Sequence, residues 1–173
     1  MTSLPGACAC ITALTMSGQP TRRFAFEAFL PYDKKERAQI LENLRNETRT
    51  IIIYEAPHHL KKTLKECREY LGNRNMTVCK ELTKRYEQKR KSTLDEMIAY
   101  YEENEPRGEY VLIFEGKSLQ ELKEEKQQEW NQLTVQEHME HYLEKGMDKK
   151  SAMKQVAKDR GVSTVSYTHL TLP

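Results

Sequence analysis

The sequence predicts an α/β fold, in which a mixed sheet of about four strands is flanked by helices and followed by a small helical appendage. The isoleucine run at 51–53 is typical of a strand buried on both faces. A helix start at Pro57 follows directly, and helical spacing predicts one apolar face formed by Leu60, Leu64, Cys67 and Leu71. Beyond Lys117 the composition shifts to Lys, Glu and Gln, which separates the appendage from the sheet.

Composition limits the classes of protein to which the chain can belong. Of its 173 residues, 38% are hydrophobic and 31% are charged, so much of the sequence must be solvated helix surface. The formal net charge is only +2, so any preference for nucleic acid must come from local patches. The sequence has no apolar run of about 18 residues that would predict a membrane span, and residues 1–5 do not begin a secretory signal. We therefore expect a cytoplasmic protein that does not enter a membrane.

The cysteines favour reduced thiols over a metal site. Cys8 and Cys10 are one residue too close for a zinc knuckle, and Cys67 and Cys79 stand alone in apolar contexts. We therefore expect free thiols and no bound metal.

The first predicted elements are a helix, a strand and a second helix. Small residues at 7–14 indicate a helix that lies very close to a strand or a ligand, and Gly18 ends it. The turn before this helix needs a preceding strand, which the sequence lacks, so we expect a truncated chain. Alternation over residues 23–30 predicts a strand, and Asp33 is a plausible N-cap for a helix that ends near residue 46.

Two further strands complete the predicted sheet, at residues 76–82 and 109–116. Between them, residues 86–91 are expected to be extended. Thr93 then caps a helix, with Glu96 in the capping-box position.

The appendage begins after the last strand. Residues 117–133 are expected to form a charged helical linker, and residues 134–163 two helices that resemble the start of a helix-turn-helix. Thr134 and Asp148 are the predicted N-caps of these helices. Residues 164–173 are rich in β-branched residues where a recognition helix should stand, so we expect an anomalous tail without such a helix.

Acidic side chains stand at or near three predicted strand ends: Glu55, Glu81 and Glu115. Ligands of open α/β sheets bind at the carboxyl ends of strands, so an acid–base or metal site with His58 and His59 is one interpretation. The other is that the acids pair with Lys84, Arg85 or backbone amides at helix starts. The adjacent histidines project from different faces of a helix, which disfavours a metal.

Basic residues near the first strand also have two interpretations. They either bind RNA phosphates as one patch on the substrate side, or they belong to a solvated helix face. The residues expected to bind RNA are Arg22, Arg23, Lys34, Lys35, Arg37 and, after the third strand, Lys84.

Several segments occur in an order and spacing that resemble a known family. They are Leu4-Pro5-Gly6-Ala7, Arg23-Phe-Ala-Phe-Glu-Ala-Phe-Leu-Pro31, Tyr54-Glu-Ala-Pro-His58 and Lys80-Glu-Leu-Thr-Lys84. Over residues 4–163 the chain is similar to the C-terminal part of the small-subunit ribosomal RNA (cytidine-2′-O)-methyltransferases, the methyltransferase I family of the tetrapyrrole-methylase superfamily.

The resemblance implies that residues 1–116 are the C-terminal α/β domain of a methyltransferase, usually a homodimer, that binds S-adenosylmethionine between two domains. It implies cofactor contacts from Pro5, Gly6, Ala7, Cys8, Tyr54, Ala56, Pro57, Leu82 and Thr83. Glu55 or Glu81 is the candidate base for the ribose 2′-proton. The motifs of the family's N-terminal domain are absent, so we expect a fragment that is inactive alone.

Two other functions stay open at this point. One is methylation of a small tetrapyrrole-like substrate, although such enzymes lack a helical appendage like residues 134–163. The other is a non-catalytic RNA-binding or dimerisation module. Binding of S-adenosylmethionine would distinguish an enzyme from such a module.

Overall fold

The structure is a computed structural model that describes residues 6–162. Pro5, Ser163 and residues 164–173, including the predicted tail, lie outside the described residues. The elements are helix α1 (Ala9–Ser17), strand β1 (Phe24–Phe29), helix α2 (Lys34–Leu44), strand β2 (Thr50–Glu55), helix α3 (Pro57–Leu71), strand β3 (Asn75–Lys80), strand β4 (Gln88–Thr93), helix α4 (Leu94–Glu103), strand β5 (Tyr110–Phe114) and helices α5 (Leu119–Gln132), α6 (Val135–Glu144) and α7 (Lys149–Asp159). They form two compact units, one up to Lys117 and one from Ser118 onward.

The first unit is built on a mixed sheet with the strand order β1-β2-β5-β3-β4. Strands β1 and β2 are parallel, whereas β2–β5, β5–β3 and β3–β4 are antiparallel pairs. This confirms the predicted α/β class, with one strand more than the expected four. The additional strand is β4, which was predicted only as an extended segment because its sequence is polar throughout. It pairs on one side alone, so burial does not impose an apolar pattern on it.

Strands β1, β2 and β3 end, and strands β4 and β5 begin, along the same side of the sheet. Glu55 at the end of β2 lies opposite Tyr110 at the start of β5, and Tyr110 lies opposite Lys80 at the end of β3. Lys80 in turn lies opposite Gln88 at the start of β4, and Phe29 ends β1 beside β2. We call this edge, marked by these five residues, the upper edge.

Helices cover both faces of the sheet. Helices α2, α3 and α4 pack on the face that presents Ile51, Ile53, Leu112 and Phe114, and this is the main core. Helix α1 packs on the opposite face, where Ala13 contacts the layer of β2, β3 and β5 side chains. The small residues of α1 therefore lie against strands, as their size predicted.

Helix α3 confirms the predicted apolar face. Leu60, Leu64, Cys67 and Leu71 are all buried, and the spacing i, i+4, i+7, i+11 places them on one side of the helix. Burying a side chain of this size contributes roughly 1.5–3 kcal/mol, so this face fixes α3 firmly beneath β2.

The four predicted N-caps are confirmed. The side chains of Asp33, Thr93, Thr134 and Asp148 accept hydrogen bonds from backbone amides in the first turns of α2, α4, α6 and α7. Since such a cap contributes about 1 kcal/mol, these residues set where each helix begins.

The helical unit has its own small core. Met139 of α6 packs with Ala152, Val156 and Ala157 of α7. The segment expected to be a charged linker is helix α5, and it belongs to this unit, since Trp130 stacks on His138 with ring centroids 3.9 Å apart.

Among residues 6–162, none of the helices combines the length and apolar character that crossing a membrane requires.

Candidate functional site

A groove of about 420 Å³ opens at the upper edge. This volume lies within the range of small-molecule sites, and its walls are mainly apolar. Five lining residues were singled out from the sequence: Tyr54, Glu55, Ala56, Pro57 and Leu82. The structure therefore brings the turn after β2 and the segment after β3 together at one site.

Ala9 also lines the groove and belongs to the small residues expected to lie close to a strand or a ligand. Four other lining residues were missed by the sequence reasoning: Phe29, Glu109, Tyr110 and Val111. Tyr110 and Val111 begin β5, and Glu109 directly precedes them. Since β5 runs antiparallel to β2 and β3, its beginning rather than its end reaches the upper edge. To identify them, one would need to know that β5 pairs antiparallel with its neighbours, and this sequence alone does not specify the direction of that pairing.

The same strand direction corrects the proposed set of acids. Glu115 follows the end of β5 and lies at the opposite edge, where its carboxylate accepts a hydrogen bond from Asn75 Nδ2 at 2.7 Å. It is therefore remote from Glu55 and Glu81, and the three do not form one site.

Two helices begin at the groove without side-chain caps. Ala9 is the first residue of α1, and Ala56 and Pro57 are the N-cap and first residue of α3. The first amides of a helix lack intrahelical partners and carry a partial positive charge. Some of these amides are occupied, since Ala56 donates to Glu55 and Cys10 donates to Tyr54. The partial positive charge of the two helix starts is thus the feature of the groove that favours an anionic group.

Tyr54 joins the strand β2 to the start of α1. Its hydroxyl accepts a hydrogen bond from the backbone amide of Cys10 at 2.9 Å, and its ring meets Phe26 and Phe29 edge to face. Partial burial raises the pKa of Tyr54, so the phenol stays protonated near neutral pH. Tyr54 thus forms a rigid wall of the groove.

Glu55 is buried, and both of its carboxylate oxygens accept hydrogen bonds. One oxygen accepts the amide of Ala56 at 2.8 Å, and the other accepts the hydroxyl of Thr63. The guanidinium of Arg37 donates to the Thr63 hydroxyl at 2.6 Å and lies 3.9 Å from the Glu55 carboxylate. This network fixes the turn into α3.

Arg37 is therefore not part of an exposed basic patch. Only 8% of its surface is exposed, and its Nε donates to Glu66 at 2.5 Å. The expectation that Arg37 faces RNA is wrong, because helix α2 turns this residue toward α3.

Glu81 is also occupied as an acceptor. It accepts the backbone amide of Glu109 at 2.8 Å and the ammonium of Lys84 at 3.2 Å. These two donors hold the pKa of Glu81 below its ordinary value, the amide most strongly. For both candidate bases the structure thus matches the alternative in which the acids pair with backbone amides and Lys84.

Lys84 contacts Glu109 as well, at 2.9 Å, so it is committed to two carboxylates. Thr83 is exposed in the turn beyond Leu82, with a φ of 63°, and does not line the groove. Of the segment after β3, Leu82 is the residue that forms the wall.

Gly6, Ala7 and Cys8 are exposed and lead into α1, while Pro5 lies outside the described residues. The Cys8 and Cys10 sulfurs are 3.3 Å apart without a disulfide. The hydrogen bond from Cys10 lowers the pKa of Cys8, whereas burial raises that of Cys10.

The remaining basic residues do not form one patch. Arg22 and Arg23 are exposed before β1, and Lys34 and Lys35 are exposed after it. A six-residue strand rises by roughly 17 Å, so the two pairs lie at opposite ends of β1. Within residues 6–162, no cluster of three or more His, Cys, Asp or Glu side chains is placed to hold a metal ion.

Comparison with known proteins assigns the family. The profile of the Tetrapyrrole (Corrin/Porphyrin) Methylases matches residues 1–98. The ribosomal RNA small subunit methyltransferase I of Bacillus subtilis is 46% identical over 92% of this chain and 54% of its own length. The protein of the same name from Halalkalibacterium halodurans is 45% identical over the same shares. A solved cobalt precorrin-4 methyltransferase aligns with 55% of this chain and 41% of its own, with 18% identity and a TM-score of 0.42.

The chain thus spans about half the length of the curated relatives it matches. The profile match covers more than half of the chain and includes α1, β1, β2, α3 and β3, the elements that build most of the groove. Methylases of this family take their methyl group from S-adenosylmethionine. The chain belongs to the tetrapyrrole (corrin/porphyrin) methylase family.

Proposed function

We propose that this protein takes part in methyl transfer from S-adenosylmethionine to the ribose 2′-hydroxyl of a cytidine in small-subunit ribosomal RNA. The observation that carries the proposal is the 46% identity to a ribosomal RNA small subunit methyltransferase I over 92% of the chain. That match extends into the helical unit, beyond the 98 residues that the family profile covers. It therefore favours an RNA substrate over a small tetrapyrrole.

The groove at the upper edge is the proposed site of the methyl donor. Its described residues fit S-adenosylmethionine, because the apolar walls suit an adenosine and the partial positive charge at the starts of α1 and α3 favours a carboxylate. When bound, the donor supplies a methyl group that its sulfonium already activates. The chain then has mainly to position the donor and exclude water.

We assign positioning roles to the two candidate bases. Glu55 holds the turn into α3 through the amide of Ala56, and Glu81 holds the start of β5 through the amide of Glu109. Each carboxylate already accepts the hydrogen bonds described above, and the lowered pKa of Glu81 makes it a weaker base. Both therefore shape the groove rather than take the ribose proton.

The proposed activity also requires the part of the relatives that this chain does not span. The described walls of the groove all come from one sheet edge, so we infer that the remaining part completes the donor site. We also propose a homodimer and a cytoplasmic location, in keeping with free thiols and a ribosomal substrate.

The experiment joins this chain to the part of the Bacillus subtilis relative that it does not cover. The joined protein is incubated with tritiated S-adenosylmethionine and small-subunit ribosomal RNA, and the RNA is digested to nucleosides. Label in 2′-O-methylcytidine supports the proposal, while label on a base, or in a tetrapyrrole but not in RNA, contradicts it. Ala9→Leu, which places a larger side chain in the groove, should abolish the label. The control Thr15→Leu, at an exposed position of α1, should not.

A further inference from the structure

A second groove lies at the outer side of the sheet, between the edge strand β4 and helix α4. Its volume is about 570 Å³, and its walls carry the cations Lys80 and Arg90 together with Tyr100 and Tyr101. Lys91 also borders the groove, but its ammonium lies near Gly18 at the end of α1. We propose that this groove binds a single-stranded segment of RNA, with the cations on phosphates and the Arg90–Tyr100 pair as a surface on which a base stacks. The choice of RNA as ligand rests on the proposed function.

The cations of this groove form no direct ion pairs. In the part of the chain that the structure describes, neither Lys80 nor Arg90 lies within ion-pair distance of a carboxylate. Glu81, next to Lys80, attracts it electrostatically, but its carboxylate bonds to Lys84 and to the amide of Glu109. Glu87 and Glu96 each accept a hydrogen bond from a backbone amide. The groove therefore presents positive charge that can neutralise phosphates and release their counterions.

The contact between Arg90 and Tyr100 provides an aromatic and cationic surface. The guanidinium carbon of Arg90 lies 3.7 Å from the centroid of the Tyr100 ring. The Tyr100 ring in turn meets Tyr101 edge to face at 5.0 Å, which limits its movement. Guanidinium planes and aromatic rings are the groups on which proteins stack unpaired RNA bases.

Protection of the sheet edge explains only part of this arrangement. Exposed lysines on an edge strand prevent pairing with other chains. Lys89 has a further structural role, because its ammonium donates to the carbonyl of Met16 at 3.1 Å near the end of α1. Neither role requires two tyrosines beneath the cations. Lys89 and Lys91, whose ammonium groups lie beside the end of α1, are left out of the proposed site.

The groove is well placed relative to the proposed methyl donor. Lys80 lies opposite Tyr110 of β5, which lines the donor groove, and opposite Gln88 of β4 on its other side. Neighbouring strands are about 4.8 Å apart, so the start of β4 is roughly 10 Å from the start of β5. An RNA strand that follows β4 to the upper edge therefore arrives beside the donor.

The test measures binding of a short fluorescein-labelled single-stranded RNA to the full 173-residue chain by fluorescence anisotropy over a range of salt concentrations. The variant Lys80→Ala/Arg90→Ala should lower the affinity at low salt by about five-fold or more. It should also reduce the salt slope by roughly 1.4, since each phosphate contact to a single strand contributes about 0.7. The matched control removes two exposed cations of α3 that already pair with carboxylates, as Lys62→Ala/Lys65→Ala, and should change the affinity by less than about two-fold.

A second pair of variants tests the stacking surface. Tyr100→Leu should weaken RNA binding by about five-fold or more, because stacking of one base carries at least that effect. Tyr70→Leu is the control, since Tyr70 of α3 is also partly buried against the same core. Equal losses in the two cation variants, equal losses in the two tyrosine variants, or equal competition by poly-glutamate and RNA would each overturn the proposal.

The outcomes separate this inference from the proposed function. If the full chain binds no RNA through this groove while the joined protein methylates ribosomal RNA, the groove proposal is wrong and the function stands. If the groove binds RNA as described but the joined protein forms no 2′-O-methylcytidine, the groove stands and the function is wrong.

Discussion

The hydroxyl of Tyr54 accepts a hydrogen bond from the backbone amide of Cys10 at 2.9 Å. This contact joins strand β2 to the first turn of α1, and the two residues are 44 positions apart in sequence. Since α1 has no side-chain cap, the tyrosine satisfies a backbone donor that would otherwise lack a partner. The wall of the upper-edge groove and the start of α1 therefore depend on one phenol.

Tyr54→Phe keeps the ring and removes this acceptor. We expect the free energy of unfolding to fall by about 1 kcal/mol, because the amide of Cys10 loses its partner in a partly buried site. Urea unfolding of the full chain measures the change. Tyr86→Phe is the control: this ring is 68% exposed, so its loss should stay within about 0.5 kcal/mol. Equal effects of the two changes would show that the hydroxyl of Tyr54 does not stabilise α1.

Thr63→Val should destabilise the chain by about 2 kcal/mol. The change preserves shape but removes the hydroxyl that lies between Arg37 and Glu55, so each of these two buried charged groups loses one hydrogen bond. The measurement is again urea unfolding. The same substitution at Thr15, exposed on α1, should have little effect, and a comparable loss there would refute the special role of Thr63.

Gly108→Ala should disturb Glu81. A Cβ at this position would lie 2.5 Å from the Glu81 carboxylate, and Gly108 also has a φ of +86°. Gly18 has a φ of +73° but meets nothing closer than 3.9 Å, so Gly18→Ala measures the backbone strain alone. We expect Gly108→Ala to cost about 1 kcal/mol more than Gly18→Ala in thermal unfolding, because Glu81 must release the amide of Glu109. Equal losses would mean that the carboxylate moves aside freely.

The helical unit should lose stability in mild acid. His138 is buried, stacks on Trp130 and accepts a hydrogen bond from Arg160, and burial lowers its pKa below the ordinary 6.5. The unfolded chain therefore takes up the proton first, and stability present at pH 7 declines as the pH falls below about 6.5. Fluorescence of Trp130, the single tryptophan, follows the unfolding midpoint of this unit.

His138→Phe keeps an aromatic ring that cannot be protonated. The unfolding midpoint of this variant should therefore depend less on pH, whatever its value at pH 7. His58→Gln, at an exposed site in the other unit, should leave the dependence unchanged. A midpoint that is constant between pH 7 and pH 5 in the unmodified chain would show that His138 does not control it.

Local sequence signals predicted most of the elements correctly. The run at 51–53, the face of α3 and the four caps each depend on residues close in sequence, where periodicity and capping chemistry act directly. Strand β4 was the exception, since its residues are exposed and carry no apolar pattern. Strand β4 forms by pairing with β3, and the sequence of β4 alone does not show this pairing.

The residues of the groove were named in part before the structure. The family resemblance implied Tyr54, Ala56, Pro57 and Leu82, and the structure brings these four to one groove, near the ends of β2 and β3. Tyr110 and its neighbours depend on the antiparallel direction of β5, which is a long-range property. Arg37 was wrongly predicted to be exposed, because charged helix residues usually face solvent and its buried partner Glu55 is distant in sequence.

We propose that the upper-edge groove holds the methyl donor. Titration of the ¹⁵N-labelled full chain with S-adenosylhomocysteine, followed by amide NMR, tests this proposal because the method detects weak binding. We expect saturable shifts clustered at Ala9, Ala56 and Tyr110, with none at Arg90 of the second groove. Saturable shifts that cluster away from the upper edge, or no saturable shift up to the solubility limit of the ligand, would contradict it.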